Sequence, residues 1–135
     1  MLTKKYLNEL EYQLTGAIID VHKHLGPGLL ESVYQKCLAH ELRLRNMVFS
    51  SEHHIDVIYK EFHLDTALRV DFYINNCLVI EVKAVDSILP IHEAQILTYM
   101  KLLKAPKGLL INFNCTNIIQ TGKKPYVNEF YRDLD

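Results

Sequence analysis

The chain has 135 residues, about one ordinary domain's worth, and at 49% hydrophobic and 23% charged it can bury a real core, which excludes a disordered or collagen-like polymer. Fifteen Lys and Arg against sixteen Asp and Glu leave a formal net charge of −1. That balance excludes a histone-like protein that binds nucleic acid by charge alone, but not a local basic groove.

The N-terminus enters an amphipathic pattern with Asn8, Glu9 and Glu11 rather than a signal-peptide apolar run. Leu7, Leu10, Leu14, Ile18, Val21 and Leu25 recur at steps of three and four, predicting one long helix over about 4–25. Gly26-Pro27-Gly28 stops it, because Gly suits a helix C-terminus and Pro cannot continue one. A second helix follows, with Leu30, Val33, Tyr34, Cys37, Leu38 and Leu42 on one side, ended by Asn46. The period then changes. Ile55, Val57 and Tyr59 alternate with polar residues, as do Leu68 to Ile74 and Leu78 to Ala84, predicting three strands in an antiparallel meander. From Pro90 to Lys104 the helical period returns, with Pro90 suited to a first turn. Gly108 to Phe113 reads as a short buried strand. Beyond Asn114, residues 126–132 suit an edge strand or a final helical turn.

The order is therefore α, α, β, β, β, α, β, an α/β (α+β) arrangement in one domain, 1–135. Its core covers about 28–114, with an extra N-terminal helix and a tail from 115. Cys37, Cys77 and Cys115 are scattered, with no CxxC pair to suggest a disulfide framework or a zinc site. No apolar stretch approaches the ~18 residues of a membrane span. The expectation is a reduced, soluble, cytoplasmic protein with no membrane partner.

The two central strands carry the sharpest chemistry. Asp71 lies opposite the apolar face of strand 68–75, and Glu81 and Lys83 share the corresponding face of strand 77–84. A two-residue loop at Asn75-Asn76 would pair Asp71 with Ile80. A three-residue loop, Asn75 to Cys77, pairs Asp71 with Glu81, and Asn tolerates the left-handed conformation such loops need. The three-residue loop is the register adopted. Two facing carboxylates repel unless a positive charge lies between them, and Mg²⁺ takes one or two carboxylates plus waters and phosphate oxygens. Taken alone, the pattern favours a solvated strand face with a weak Glu–Lys pair, because Asp, Glu and Lys are common on exposed faces.

The arrangement as a whole tips the balance. Asp71, then Glu81-Val82-Lys83, on adjacent strands of an α-β-β-β-α-β run resembles the PD-(D/E)xK nuclease superfamily, whose core is restriction-endonuclease-like. Gly28-Leu-Leu-Glu31-Ser-Val-Tyr34 matches the GxxExxY signature that names one small branch of it. Arg69-Val-Asp71, Val79-Ile-Glu81-Val-Lys83-Ala84 and Gly108-Leu-Leu-Ile-Asn-Phe113 follow in order, so the likeness spans roughly residues 7–114. One departure is Val70 before Asp71, where the superfamily often has Pro.

The resemblance implies that Asp71, Glu81 and the backbone carbonyl of Val82 hold Mg²⁺ or Mn²⁺, that Lys83 is the catalytic lysine, and that Glu31 is an additional carboxylate for the metal or its water. Glu31 equally fits a first-turn complement to the helix dipole. Gln95 and Tyr99, four apart on one helix face, resemble a Gln-xxx-Tyr pair that lines the site in a related nuclease branch; His92 lies on roughly the same face. Core packing of Tyr99 is the alternative. Gly28 lets the chain turn into the second helix, and Tyr34, one turn after Glu31, supports it.

Lys101, Lys104, Lys107, Arg43 and Arg45 sit near helix ends, where dipole complementarity suffices. Lys123-Lys124 suits either a phosphate backbone or solvent. His22/His24 and His53/His54 are spaced so as to diverge, and are not zinc pairs. The implied function is metal-dependent phosphodiester hydrolysis of nucleic acid, DNA being preferred. A homodimer or larger complex is left to supply specificity, because no recognition domain is evident. The rival is a non-catalytic nuclease-fold module that binds nucleic acid or a protein in a defence or repair assembly.

Overall fold

The computed structural model describes all residues, Met1–Asp135. Helix α1 (Lys4–Leu25) opens at Thr3, whose hydroxyl accepts the Tyr6 N–H at 3.0 Å, and stops at Gly26, at φ 69°. Helix α2 (Glu31–Leu44) follows the Gly-Pro-Gly loop. Five strands then build the main sheet, in the spatial order β1 (Phe49–His54), β4 (Arg69–Ile74), β5 (Leu78–Lys83), β6 (Lys107–Asn112), β7 (Lys123–Val127). β5 and β6 run parallel across helix α3 (Pro90–Leu103), and the other neighbours are antiparallel. β2 (Val57–Tyr59) and β3 (Phe62–Leu64) form a separate hairpin. A π-helical turn (Ile118–Gly122) precedes β7, and the short helix α4 (Glu129–Arg132) follows it. No helix is long and apolar enough to cross a membrane.

This is the α+β architecture expected from the sequence, a mixed sheet with an added N-terminal helix, but it has two apolar layers rather than one. Leu7, Leu14 and Ile18 of α1 and Tyr34, Leu38 and Leu42 of α2 pack on Phe72, Ile80, Val82, Leu109 and Ile111. On the opposite face, Ile96, Tyr99 and Met100 of α3 pack on Tyr73, Val79 and Leu110. The face expected to be polar is therefore largely covered. Only its end, where Asp71, Glu81 and Lys83 lie, keeps charge. Burial on both faces explains why β5 and β6 read as nearly continuous apolar runs.

Two expectations are corrected. The first strand of the meander is Phe49–His54, not 55–59. An edge strand with one neighbour tolerates Ser50, Ser51, Glu52 and His53, so its pattern carried no apolar alternation. The alternation at Val57 and Tyr59 belongs instead to the β2–β3 hairpin. Its turn residues Lys60 and Glu61 both have positive φ, 46° and 69°, without the Gly or Asn that usually signals such a turn. In the tail both readings hold, since β7 adds an edge strand and α4 a final helical turn.

Candidate active site

The β4–β5 hairpin has the three-residue loop. Ile74 pairs with Leu78, Tyr73 with Val79 and Phe72 with Ile80, with Asn75 and Asn76 left-handed at φ 46° and 55°. The next level of this register sets Asp71 opposite Glu81. There the backbone ladder gives way to side chains. The Asp71 N–H donates to Glu81 Oε1 at 3.0 Å, and the Val82 N–H donates to Asp71 Oδ2 at 2.7 Å. The far side of β4 is interrupted at the same level: Ser51–Phe72 and His53–Val70 pair, while Glu52 between them is left-handed at φ 48°. A non-glycine residue in that region inside a strand is strained, and strain of this kind concentrates at functional sites.

Each carboxylate thus spends one oxygen on the neighbouring strand's backbone. Glu81 is 6% exposed and Asp71 partly buried. Burial is the main reason that Asp71 is raised to about 6 and Glu81 to about 8. The Val82 N–H opposes this at Asp71, and the Asp71 charge adds to it at Glu81. Glu31 raises both, and Lys83, half-buried beside them, lowers both. The Gln35 amide also lies against Asp71 and lowers it. A low-dielectric pair that resists charging is a site suited to an added cation.

The donor set fits a hard divalent ion. Asp71 and Glu81 offer carboxylate oxygens, and the Val82 carbonyl offers a third. The Lys83 carbonyl accepts the Phe113 N–H at 2.9 Å toward β6, so strand alternation turns the Val82 N–H and C=O toward β4 and Asp71. No three His, Cys, Asp or Glu side chains are grouped to hold a metal. Glu31, the first residue of α2, acts on the pair through its field but is not gathered with it into one ligand cluster. Two carboxylates without a third suit Mg²⁺, which keeps several waters, better than an ion that needs an all-protein cage.

The remaining predicted residues separate into two groups. Tyr99 faces the site from α3. Burial raises its pKa first, the Glu81 and Asp71 charges raise it further, and the neighbouring Gln95 side chain lowers it. His92 instead accepts the Leu89 N–H on Nδ1 at 3.0 Å and caps α3. Tyr34 is fully buried, stacked on Phe113 with centroids 4.6 Å apart. Its hydroxyl donates to the Gly26 carbonyl at 2.5 Å and accepts the Leu29 N–H at 3.2 Å. It therefore supports the loop that delivers Glu31 and lies beneath the site rather than in it. Gly28 has φ 98° and open space around its Cα, so it is there for its backbone.

Gln35 was missed by sequence reasoning, though it lies four residues after Glu31 and so on the same helix face. Asn112 was missed as well. This buried side chain pairs in register with Lys83, accepts the Val85 and Asn114 N–H groups at 3.1 and 3.2 Å, and donates to the Val85 carbonyl at 2.9 Å. It holds the chain leaving Lys83. Two lysines leave the list of substrate candidates: Lys107 pairs with Glu11 at 2.5 Å, and Lys123 with the same carboxylate at 2.8 Å. Lys124 pairs with Glu93.

Comparison with known proteins yields one match. The model of a family described as the PD-(D/E)XK nuclease superfamily matches residues 8–124, most of the chain. Neither the curated proteins nor the solved structures compared give a match.

Proposed function

The chain belongs to the PD-(D/E)XK nuclease superfamily, and from that premise we propose that it is a divalent-metal-dependent nuclease of the GxxExxY branch, acting on DNA with Mg²⁺ or Mn²⁺. The observation that carries the reading is the exchange at one level of the sheet. Asp71 and Glu81 each accept a backbone N–H of the other's strand while burial and their mutual field disfavour both charges.

Asp71, Glu81 and the Val82 carbonyl would hold the cation, which supplies Lewis-acid polarisation of a phosphoryl oxygen. The chain's own residues supply the rest. Lys83, adjacent to both carboxylates, orients the attacking water and offsets the negative charge that grows on the phosphate. The water oxygen bonds to phosphorus as the bond to the leaving sugar oxygen breaks, with the proton passing to that oxygen. Gln95 and Tyr99 present a hydrogen-bonding wall from α3, and Glu31 adds a carboxylate for a water at the rim.

The test is a panel of single- and double-stranded DNA and RNA, each with and without Mn²⁺. Cleavage is expected only with the metal, and Lys83→Ala is expected to abolish it with Tm unchanged. Absence of Mn²⁺ binding at the Asp71/Glu81 pair overturns the reading. The alternative reading is a non-catalytic nuclease-fold module that binds nucleic acid or a protein partner. That reading requires metal-independent nucleic-acid binding that survives Asp71→Ala.

A further inference from the structure

Between α2 and the edge strand β1 runs a groove of about 350 Å³ that ends on Asp71. Ser32, Gln35, Lys36 and Arg43 form its α2 wall, and Glu52 stands on the β1 side. The α2 residues recur at helical steps, so they make one stripe along the helix. Lys36 and Arg43 form no ion pair with any carboxylate. This sets them apart from neighbouring cations. Arg45 is taken up by Asp20 and Glu41 at 2.6 and 2.7 Å, and Lys107 and Lys123 by Glu11. The Arg43 guanidinium lies 5.6 Å from the centroid of the Phe49 ring, which fixes its position without neutralising its charge. Glu52 and Asp71 are the two carboxylates that line it, and Arg69 stands 4.0 Å from Glu52.

We propose that this groove holds the sugar–phosphate backbone of the substrate strand beside the scissile phosphate, with Lys36 and Arg43 each pairing a phosphate oxygen. Seven residues of helix separate the two, about 10 Å along the axis. Neighbouring phosphates of one strand lie farther apart than the axial rise of about 3.4 Å per nucleotide, so the two cations reach phosphates no more than about two steps apart. Gln35, which lies against Asp71 on the same stripe, joins the groove to the site. The strand thus runs along α2, and the β1 edge opens beside it where Glu52 leaves the regular strand conformation.

The proposal rests on the nuclease reading, and the experiment separates the two. Steady-state cleavage of labelled oligonucleotides is measured for the native protein, Lys36→Gln, Arg43→Gln and the double variant, at several salt concentrations, on DNA and RNA. The double variant is expected to raise KM on the order of tenfold with kcat within about twofold. Each single variant should flatten the slope of log KM against log salt by roughly 0.7–0.9. A structural role would not move that slope. Lys36→Arg restores it if charge is what acts, and Lys5→Gln, on exposed α1 surface, leaves it unchanged. Unaltered KM and slope in folded variants overturn the groove while the native activity stands. A native protein that neither cuts nor binds any of the nucleic acids overturns the nuclease reading, and the groove with it.

Discussion

Asp71 and Glu81, the proposed metal ligands, show what such a pair costs in stability. A buried carboxylate held near neutrality contributes nothing to packing that its amide would not, so Glu81→Gln should stabilise the metal-free protein. The amide oxygen can still accept the Asp71 N–H, and the repulsion is removed. At pH 8 in EDTA the expected gain is about 1 kcal/mol, or roughly 3–5 °C in Tm for a chain of this size. The same variant should lose the Tm rise that Mn²⁺ gives the native protein. Calorimetry with and without metal reads both, and an unchanged Mn²⁺ response would remove Glu81 from the ligand set. Strand alternation alone put Asp71, Glu81 and Lys83 on a common face, which a solvated surface explains as well; the family motifs singled them out. Gln35 and Asn112 were not legible, because their roles depend on which neighbour each meets after folding.

Among the elements, the loop between α1 and α2 links sequence to site most directly. Gly26 and Gly28 supply its positive φ angles, and Tyr34 ties it down from below through the Gly26 carbonyl and the Leu29 N–H. Tyr34→Phe keeps the stack on Phe113 but removes both hydrogen bonds, at a cost of about 1–2 kcal/mol. Metal-dependent cleavage is expected to fall by more than that stability loss alone would cause, because Glu31 begins α2 at the end of this loop. The measurement is cleavage at a temperature where both proteins are fully folded. Equal rates there would confine Tyr34 to stability. The β4–β5 register was readable because Asn75 and Asn76 announce their left-handed turn. The Lys60-Glu61 turn makes the same use of positive φ with residues that announce nothing, and β1 is polar because it is an edge. Local chemistry was legible where the residue type matched its backbone, and illegible where tertiary contacts overrode it.

At the scale of the whole molecule, two carboxylate systems pull stability in opposite directions with pH. Glu11 of α1 meets Lys107 of β6 and Lys123 of β7, and so fastens the N-terminal helix to the far side of the sheet. Lys107 is only 7% exposed and also lies over the Tyr131 ring. Burial raises the Glu11 pKa, but the hydrogen bonds and charges of the two lysines outweigh it and leave it lowered. A lowered carboxylate stabilises the fold above its unfolded value of 4.5, and that contribution is lost as pH falls below it. Asp71 and Glu81 are raised, so the folded state holds protons that the unfolded chain has released. Stability therefore declines as pH rises from about 4 through the folded values of about 6 and 8, and levels off above them. The metal-free protein should accordingly be most stable near pH 4, where the two losses meet. Glu11→Ala should remove the acid limb and cost about 3 kcal/mol at neutral pH, because it leaves Lys107 buried without its partner. Glu81→Gln should flatten the alkaline limb and leave the acid one intact. Saturating Mn²⁺ should flatten the alkaline limb of the native protein too, since an ion that binds only the deprotonated pair returns stability where the protons are lost. Thermal unfolding from pH 2 to pH 9 in EDTA and in Mn²⁺ measures all three curves. An alkaline decline that neither Glu81→Gln nor the metal reduces would place its origin outside the Asp71/Glu81 pair.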